Sequence, residues 1–355
     1  MPKQFEIHPH TAQAYLNKLL PKLRGSINRF IDIQPVEGGN ANYVYRVTAQ
    51  TPKGESVVYL RQAQAFNKRA RDVGKLIRVS PVRIYGEYRM LRYLKNIWGK
   101  GIVPDVLYFD RANHVLLLSD VGSNSALLYN EFVKGKVHPE IAKPLARLLA
   151  ILHAESFNTR KEFSGSRAWK RQLFKNLVVK HWSIALTKYE SKKVVEKFFE
   201  ESKKVIHCGL WADPVYKNIF VKPSGVTLID FDHTMTYDPA FELGILLSHW
   251  TWMMLKGNKN LRRDSQRFIK NFVTNYENEF FCRRSVSSKL MQQLWRRTRR
   301  WLGFYLVTRT DGKSGSYFAH DPAWENRIRS IGLALFTENN KVKEVQVIKK
   351  LMKTA

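Results

Sequence analysis

Trp211-Ala-Asp213-Pro-Val-Tyr-Lys-Asn218-Ile-Phe-Val221-Lys-Pro-Ser-Gly225-Val-Thr-Leu-Ile-Asp230-Phe-Asp232 is the stretch on which the fold turns. An acid, Asp213, is followed five residues on by an amide, Asn218, and then at once by the apolar run 219–221. Lys-Pro-Ser-Gly marks a turn, and a second apolar run, 226–229, ends in two further acids. The segment therefore reads as a β-hairpin that returns Asp230 beside Asn218. An Asp and an Asn at this spacing arise by chance about once in a chain of this length, and a turn capped by their side chains would suffice to explain it. The hairpin behind the pair is what gives the spacing weight.

Toward the N-terminus, residues 11–23 read as an amphipathic helix with Ala12, Tyr15, Leu16, Leu19 and Leu20 on one side. Three segments rich in β-branched and aromatic residues follow, 30–36, 43–49 and 56–63, separated by a Gly-rich turn and a Pro-Lys-Gly turn. A basic loop, 66–79, leads to a helix capped by Ser80, with Pro81 at its first position, that runs to residue 97. Strands at 103–109 and 114–120 complete a β-β-β-α-β-β order. From Pro139 the period becomes helical, with Leu145, Leu148, Leu149 and Leu152 on one face, and helix dominates again after residue 240. The expectation is an α+β protein of two lobes. Residues 1–120 form a small antiparallel sheet with one main helix, and residues 121–355 form a mostly helical lobe.

A chain of 355 residues is long enough for two cores, and 44% hydrophobic with 25% charged residues is a globular balance. The most apolar run, 241–255, is broken by Glu242, Ser248 and His249 and is short for a bilayer, so it reads as a buried helix. With no secretory signal and only Cys208 and Cys282, the reading is a reducing cytoplasm without a disulfide framework or cysteine metal site. Sixty Lys and Arg against 30 Asp and Glu give a net charge of +30. Such a field suits an anionic partner, nucleic acid or a membrane surface, or is simply a solvated basic exterior. Trp295-Arg-Arg-Thr-Arg-Arg-Trp301 combines cations and rings in a way that suits phosphate contact plus stacking, or a helix with one apolar and one basic face. Lys68, Arg69, Arg71, Lys75 and Arg78 form a second basic cluster. His153 and His207 lack partners at metal-ligand spacing and read as packed or hydrogen-bonded histidines.

Phosphoryl transfer needs an acid near the acceptor hydroxyl, an acid and an amide for magnesium, and a cation on the nucleotide phosphates. Gly38-Gly-Asn-Ala-Asn42-Tyr-Val-Tyr-Arg-Val47, Tyr59-Leu-Arg61-Gln-Ala63, Leu148-Leu-Ala-Ile-Leu-His-Ala154 and Asp238-Pro-Ala-Phe-Glu-Leu-Gly244 flank the hairpin in order. Together they resemble segments of the aminoglycoside phosphotransferase and choline kinase superfamily, and within it most of all the 5-methylthioribose kinases. The resemblance spans nearly the full length and implies a protein-kinase-like fold using ATP and Mg²⁺. Its acceptor would be a small-molecule hydroxyl on a sugar, amino alcohol, nucleoside-like compound or aminoglycoside. It makes Asp213 the catalytic base and Asn218 and Asp230 the magnesium ligands, with Asp232 as a second acid that supports another ion or orients the first. Gly38, Gly39, Asn40 and Asn42 fall in its phosphate-loop segment, Arg61 at its ATP cation, and Glu87 as the partner of that cation.

Three features depart from the family pattern. Arg61 stands where the family has lysine, and a planar fork cannot occupy the same point as a compact ammonium. Trp211-Ala212 precede the catalytic acid where His-Gly is usual, so Trp211 is expected to replace the packing of the lost histidine. His207-Cys208-Gly209 offers another His-Gly, but it would put glycine at the base position. Ala-Asp-Pro is also similar to the catalytic loop of the atypical ubiquinone-biosynthesis kinases. These departures leave an alternative open, a catalytically silent pseudokinase whose basic surface binds nucleic acid, acidic protein or anionic lipid. A kinase acting on a lipid or lipopolysaccharide at a membrane surface would use the same site.

Overall fold

The β-branched segments near the N-terminus pair as antiparallel strands β1 (Arg29–Pro35), β2 (Asn42–Thr51) and β3 (Gly54–Ala63). A computed structural model describes residues 5–23, 25–36, 42–66, 78–159, 163–164, 166–173, 183–205, 207–311 and 321–353. With β4 (Val106–Asp110) and β5 (Val115–Ser119) the strands form one sheet in the order β1-β2-β3-β5-β4. Its core is built by alternation. Tyr45, Val47 and Ala49 of β2 and Val58 and Leu60 of β3 face Ala12, Tyr15, Leu16 and Leu19 of helix α1 (Pro9–Leu19). Strand β4 begins later than its apolar run suggests, because Pro104 has no N–H to give the ladder.

The main helix of this sheet, α2, spans Arg83–Trp98 with Val82 as its cap, two residues after the Pro81 start read from the sequence. Arg83 is the reason for the shift. Its Nη1 donates to the Ser80 and Gln64 carbonyls, each at 2.9 Å, and Ile84 and Tyr85 close tight turns on Pro81 and Val82 instead of continuing a helix from Ser80.

The chain separates into two compact units. The first holds Met1–Ser123 together with Phe163–Trp169 and Phe231–His233; the second holds Asn124–Glu162, Lys170–Asp230 and Thr234–Ala355. In the second, the short strand β6 (Ala126–Leu127) leads to α3 (Leu128–Val133) and α4 (Ala142–Glu155). After α5 (Arg167–Leu173), α6 (Ser183–Leu186) and α7 (Lys192–Lys203) come four short strands: β7 (Cys208–Leu210), β8 (Ile219–Lys222), β9 (Gly225–Leu228) and β10 (Met235–Tyr237). Strands β6, β8 and β9 form one small sheet and β7 pairs with β10.

The remaining helices are α8 (Pro239–Lys256), α9 (Lys259–Arg283), α10 (Ser288–Asp311), α11 (Pro322–Phe336) and α12 (Lys343–Leu351). Helix α8 buries every residue from Pro239 to Leu255, as a helix apolar on all sides must. Among the described residues no helix is long and apolar enough to cross a membrane. Helices α10 and α11 cross backbone to backbone at Gly303 and Gly332, where a Cβ on Gly303 would lie 2.4 Å from the Gly332 carbonyl oxygen.

The basic stretch of α10 serves the packing of this bundle. Trp295 and Trp301 are buried, so neither offers a stacking face, and Trp295 Nε1 donates to Glu277 at 2.5 Å. Arg297 forms a two-pronged pair with Asp238 at 2.8 and 3.2 Å, Arg296 pairs with Glu338 at 2.5 Å, and Arg300 pairs with Glu201 at 2.9 Å. Burial pulls the Arg299 guanidinium below its ordinary value. This replaces the nucleic-acid-like reading of the segment with one of structural ion pairs. Of the other basic cluster, Lys68, Arg69, Arg71 and Lys75 lie outside the described residues.

Candidate active site

In the second unit, β7 delivers the chain to Asp213 through Trp211 and Ala212. Ala212 has φ +68°, a left-handed conformation that glycine adopts far more readily than alanine. The Val215 N–H turns back to the Asp213 carbonyl at 2.8 Å, and a single tight turn, Tyr216–Asn218, opens β8. Asn218 Nδ2 donates to both the carbonyl and the Oδ2 of Asp213, at 3.0 Å each. Strands β8 and β9 pair from Ile219 with Leu228 to Lys222 with Gly225, and the Ile229 N–H reaches the Asn218 carbonyl at 3.0 Å. The hairpin thus returns the chain to Asp230, whose φ of +62° turns it out of the strand. Trp211 contributes more than packing: its Nε1 donates to the carbonyls of Ile229 at 3.1 Å and Asp230 at 2.9 Å, tying the two acidic segments together.

A buried chain of polar groups supports this loop. Glu242 Oε2 accepts the Ala212 N–H at 2.8 Å, one residue before Asp213, and Glu242 Oε1 lies 2.5 Å from His153 Nε2. His153 Nδ1 lies 2.7 Å from the Tyr276 hydroxyl. A carboxylate only accepts, so His153 donates through Nε2 to Glu242, while its Nδ1 shares a hydrogen bond with the Tyr276 hydroxyl. Burial, together with the nearby Cys208 and carboxylates, pushes the Tyr276 phenol well up, so its hydroxyl stays protonated. All three side chains are buried. The sequence places His153 among packed or hydrogen-bonded histidines but gives Glu242 no role. The signal for it was there, because a lone carboxylate in an otherwise apolar buried helix requires partners.

In the first unit, Arg61 of β3 points one edge at Glu87 of α2, with Nε to Oε2 at 3.1 Å, and another at Asp232, with Nη2 to Oδ2 at 3.2 Å. Arg83, which sequence reasoning missed, is 1% exposed and lies with Nε 3.7 Å from the same Asp232 oxygen. Its Nη2 donates to Asn42 Oδ1 at 2.7 Å, and Asn42 Nδ2 donates to Asp232 Oδ2 at 2.9 Å. Burial alone would raise the Asp232 carboxyl. His233, Arg61, Arg83 and the Asn42 amide outweigh it and hold the group well below the ordinary carboxylate range. Gly38, Gly39 and Asn40 lie outside the described residues.

A model of the phosphotransferase enzyme family matches residues 32–263. No curated protein matches the chain in sequence. Among solved structures, choline kinase from Cryptosporidium parvum is similar at 13% identity and a TM-score of 0.53, with 96% of each chain covered. The amicoumacin kinase hAmiN, solved with AMP-PNP, Ca²⁺ and Ami, is similar at 11% identity and a TM-score of 0.52, over 96% of this chain and all of that one. The apo form of a thermostable mutant of aminoglycoside phosphotransferase APH(4)-Ia matches at 11% identity and a TM-score of 0.51, over 93% of this chain and all of that one. These likenesses place the fold among the kinase-like folds of choline and aminoglycoside kinases.

Proposed function

The chain belongs to the phosphotransferase enzyme family, and from that premise we propose that it moves the γ-phosphoryl group of ATP, with Mg²⁺, to a hydroxyl of a small molecule. The observation that carries the reading is the bond from Asn218 Nδ2 to Asp213 Oδ2, beside a hairpin that sets Asp230 next to Asn218. Asp213 acts as base. As the acceptor oxygen forms its bond to the γ-phosphorus, its proton passes to the Asp213 carboxylate, and the bond from phosphorus to the bridging oxygen of ADP breaks. Asn218 restrains the Asp213 carboxylate, and the Ala212 N–H held by Glu242 restrains the backbone before it.

The donor set suits magnesium. The Asn218 amide nitrogen is spent on Asp213, which leaves its oxygen as the ligand atom, and Asp230 adds a carboxylate. Hard oxygen donors of this kind hold Mg²⁺ together with waters and nucleotide phosphates. When bound, the ion neutralises charge on the β- and γ-phosphates. In the first unit, Arg61, supported by Glu87, and Asn42 are the groups suited to nucleotide phosphate. The acceptor's class, among sugars, amino alcohols, nucleoside-like compounds and aminoglycosides, is a matter for an acceptor panel.

One observation favours a second reading, a catalytically silent protein: Arg61 is engaged by two carboxylates at once. ATP titration with and without Mg²⁺ separates the two. The enzyme binds ATP more tightly with Mg²⁺, transfers phosphate to a member of the panel, and loses the Mg²⁺-dependent gain in Asp230→Ala. A silent protein shows no Mg²⁺-dependent gain in the wild type, and that result overturns the reading.

A further inference from the structure

Three nitrogens from three elements of the first unit converge on a single oxygen, Asp232 Oδ2. They are Asn42 Nδ2 at 2.9 Å, from the start of β2; Arg61 Nη2 at 3.2 Å, from β3; and Arg83 Nε at 3.7 Å, from the start of α2, the last of them at ion-pair rather than hydrogen-bond distance. Each donor is itself fixed. Asn42 is held by Arg83 Nη2, Arg83 by the carbonyls of Ser80 and Gln64, and Arg61 by Glu87. Arg83 and Asn42 are at least nine-tenths buried and Arg61 is nearly so. A rigid set of two guanidiniums and an amide aimed at one point has the form of an oxyanion site, and planar guanidiniums suit phosphate as readily as carboxylate.

We propose that Asn42, Arg61 and Arg83 form a phosphate-binding site whose present occupant is the protein's own Asp232, a carboxylate standing in for a phosphate oxygen and competing with it. The proposal rests on the nucleotide-binding reading above and deepens it in two respects. It adds Arg83 as a second phosphate cation, and it removes Asp232 from the metal-ligand set, leaving that task to Asn218 and Asp230. Asp232 faces both guanidiniums at once, so an arriving anion has to displace it from Arg61 and Arg83. Two carboxylates dedicated to cations in a buried place resist separation, because breaking one partner away leaves an uncompensated charge.

The two roles for Asp232 predict opposite signs for one substitution. The probe is inorganic tripolyphosphate in the absence of divalent metal, titrated by calorimetry and by melting temperature into wild type, Asp232→Asn and the double variant Asp232→Asn/Arg83→Met. The expected result is that Asp232→Asn melts lower than wild type without the probe. It should bind the probe about tenfold more tightly, the worth of one charge-assisted contact, and be stabilised by it more than wild type is. The double variant should lose that gain. Unchanged or weaker binding in Asp232→Asn overturns the proposal, as does a gain that survives loss of Arg83. Should Asp232→Asn fail to fold, Asp232→Ser, which leaves room for an anion oxygen, is read the same way, and refolding of either variant is attempted with the probe present. Recovery by tripolyphosphate supports the site, and no recovery refutes it. Failure of the kinase reading would show separately, as absent Mg²⁺-dependent ATP binding in a protein that still takes up tripolyphosphate.

Discussion

Replacing Glu242 by alanine tests the claim that the loop carrying the proposed base, Asp213, is held from beneath. Glu242 is fully buried and satisfies two donors, the His153 Nε2 proton at 2.5 Å and the Ala212 N–H at 2.8 Å. Alanine leaves both unsatisfied, at about 1–3 kcal/mol each, while returning the energy needed to keep a carboxylate from water, so a net loss of about 3 kcal/mol is expected. That is a large fraction of the roughly 5–15 kcal/mol that stabilises a typical domain. Glu242→Gln is the informative control. Its carbonyl can still accept from Ala212, its amide can donate to His153 Nε2, and the imidazole can move its proton to Nδ1 and donate to Tyr276. Only the charge assistance is lost, about 1 kcal/mol. Urea unfolding followed by fluorescence and circular dichroism, with coincident transitions as the check on two-state behaviour, gives both numbers. Turnover should separate the variants too, since the proposed base, Asp213, displaced by about 1 Å would lose roughly 10²-fold. Equal stability losses in the alanine and glutamine variants, or a loss below about 1 kcal/mol in alanine, would refute the reasoning.

The arginines of α10 should divide by burial. Arg297→Met, which strands the buried Asp238, should cost about 3–5 kcal/mol, whereas Arg296→Met, on a side chain 62% exposed, should cost less than about 1 kcal/mol. Chemical denaturation of both variants decides it, and equal small losses would restore the reading of the stretch as a free basic face. His249 is buried, and that burial, followed by the charge of Arg309, holds its imidazole well below the ordinary 6.5. The unfolded chain therefore binds a proton near pH 6.5 that the folded chain refuses, so stability falls as pH drops below 6.5, by about 1.4 kcal/mol per pH unit for this one group. His249→Gln should remove that part of the slope between pH 6.5 and pH 5. A remainder should persist, because His114 is lowered in the same direction by burial and by Arg83. An unchanged slope in His249→Gln would contradict the assignment.

The architecture was legible because it is written in period and punctuation: strands in alternation, turns in Gly and Pro, and α8 in a long, largely apolar run. The hairpin from Asn218 to Asp230 was legible for the same reason. Tertiary contacts were not. Nothing local shows that the Arg83 side chain reaches back to the Gln64 carbonyl, or that Arg83, Arg61 and Asn42 meet at Asp232, since these residues are far apart along the chain. The tryptophans and arginines of α10 misled for a related reason. Composition reports which groups are present, while burial and the acids supplied by other segments, Glu201, Asp238 and Glu338, decide what they do. Trp211 lay between these cases. Its packing role could be guessed from the missing histidine, but its hydrogen bonds to Ile229 and Asp230 follow from the hairpin's geometry alone.

The central claim is that Asp213 serves as the base of a phosphotransferase, and the most direct measurement is phosphoryl transfer by Asp213→Asn beside wild type, with ATP affinity measured on the same samples. Asparagine keeps the shape and the contact with Asn218 but cannot take the acceptor's proton. Turnover should fall by about 10²–10⁴ while Mg-ATP affinity and melting temperature stay close to wild type. Wild-type turnover in Asp213→Asn on an acceptor the protein phosphorylates would contradict the account.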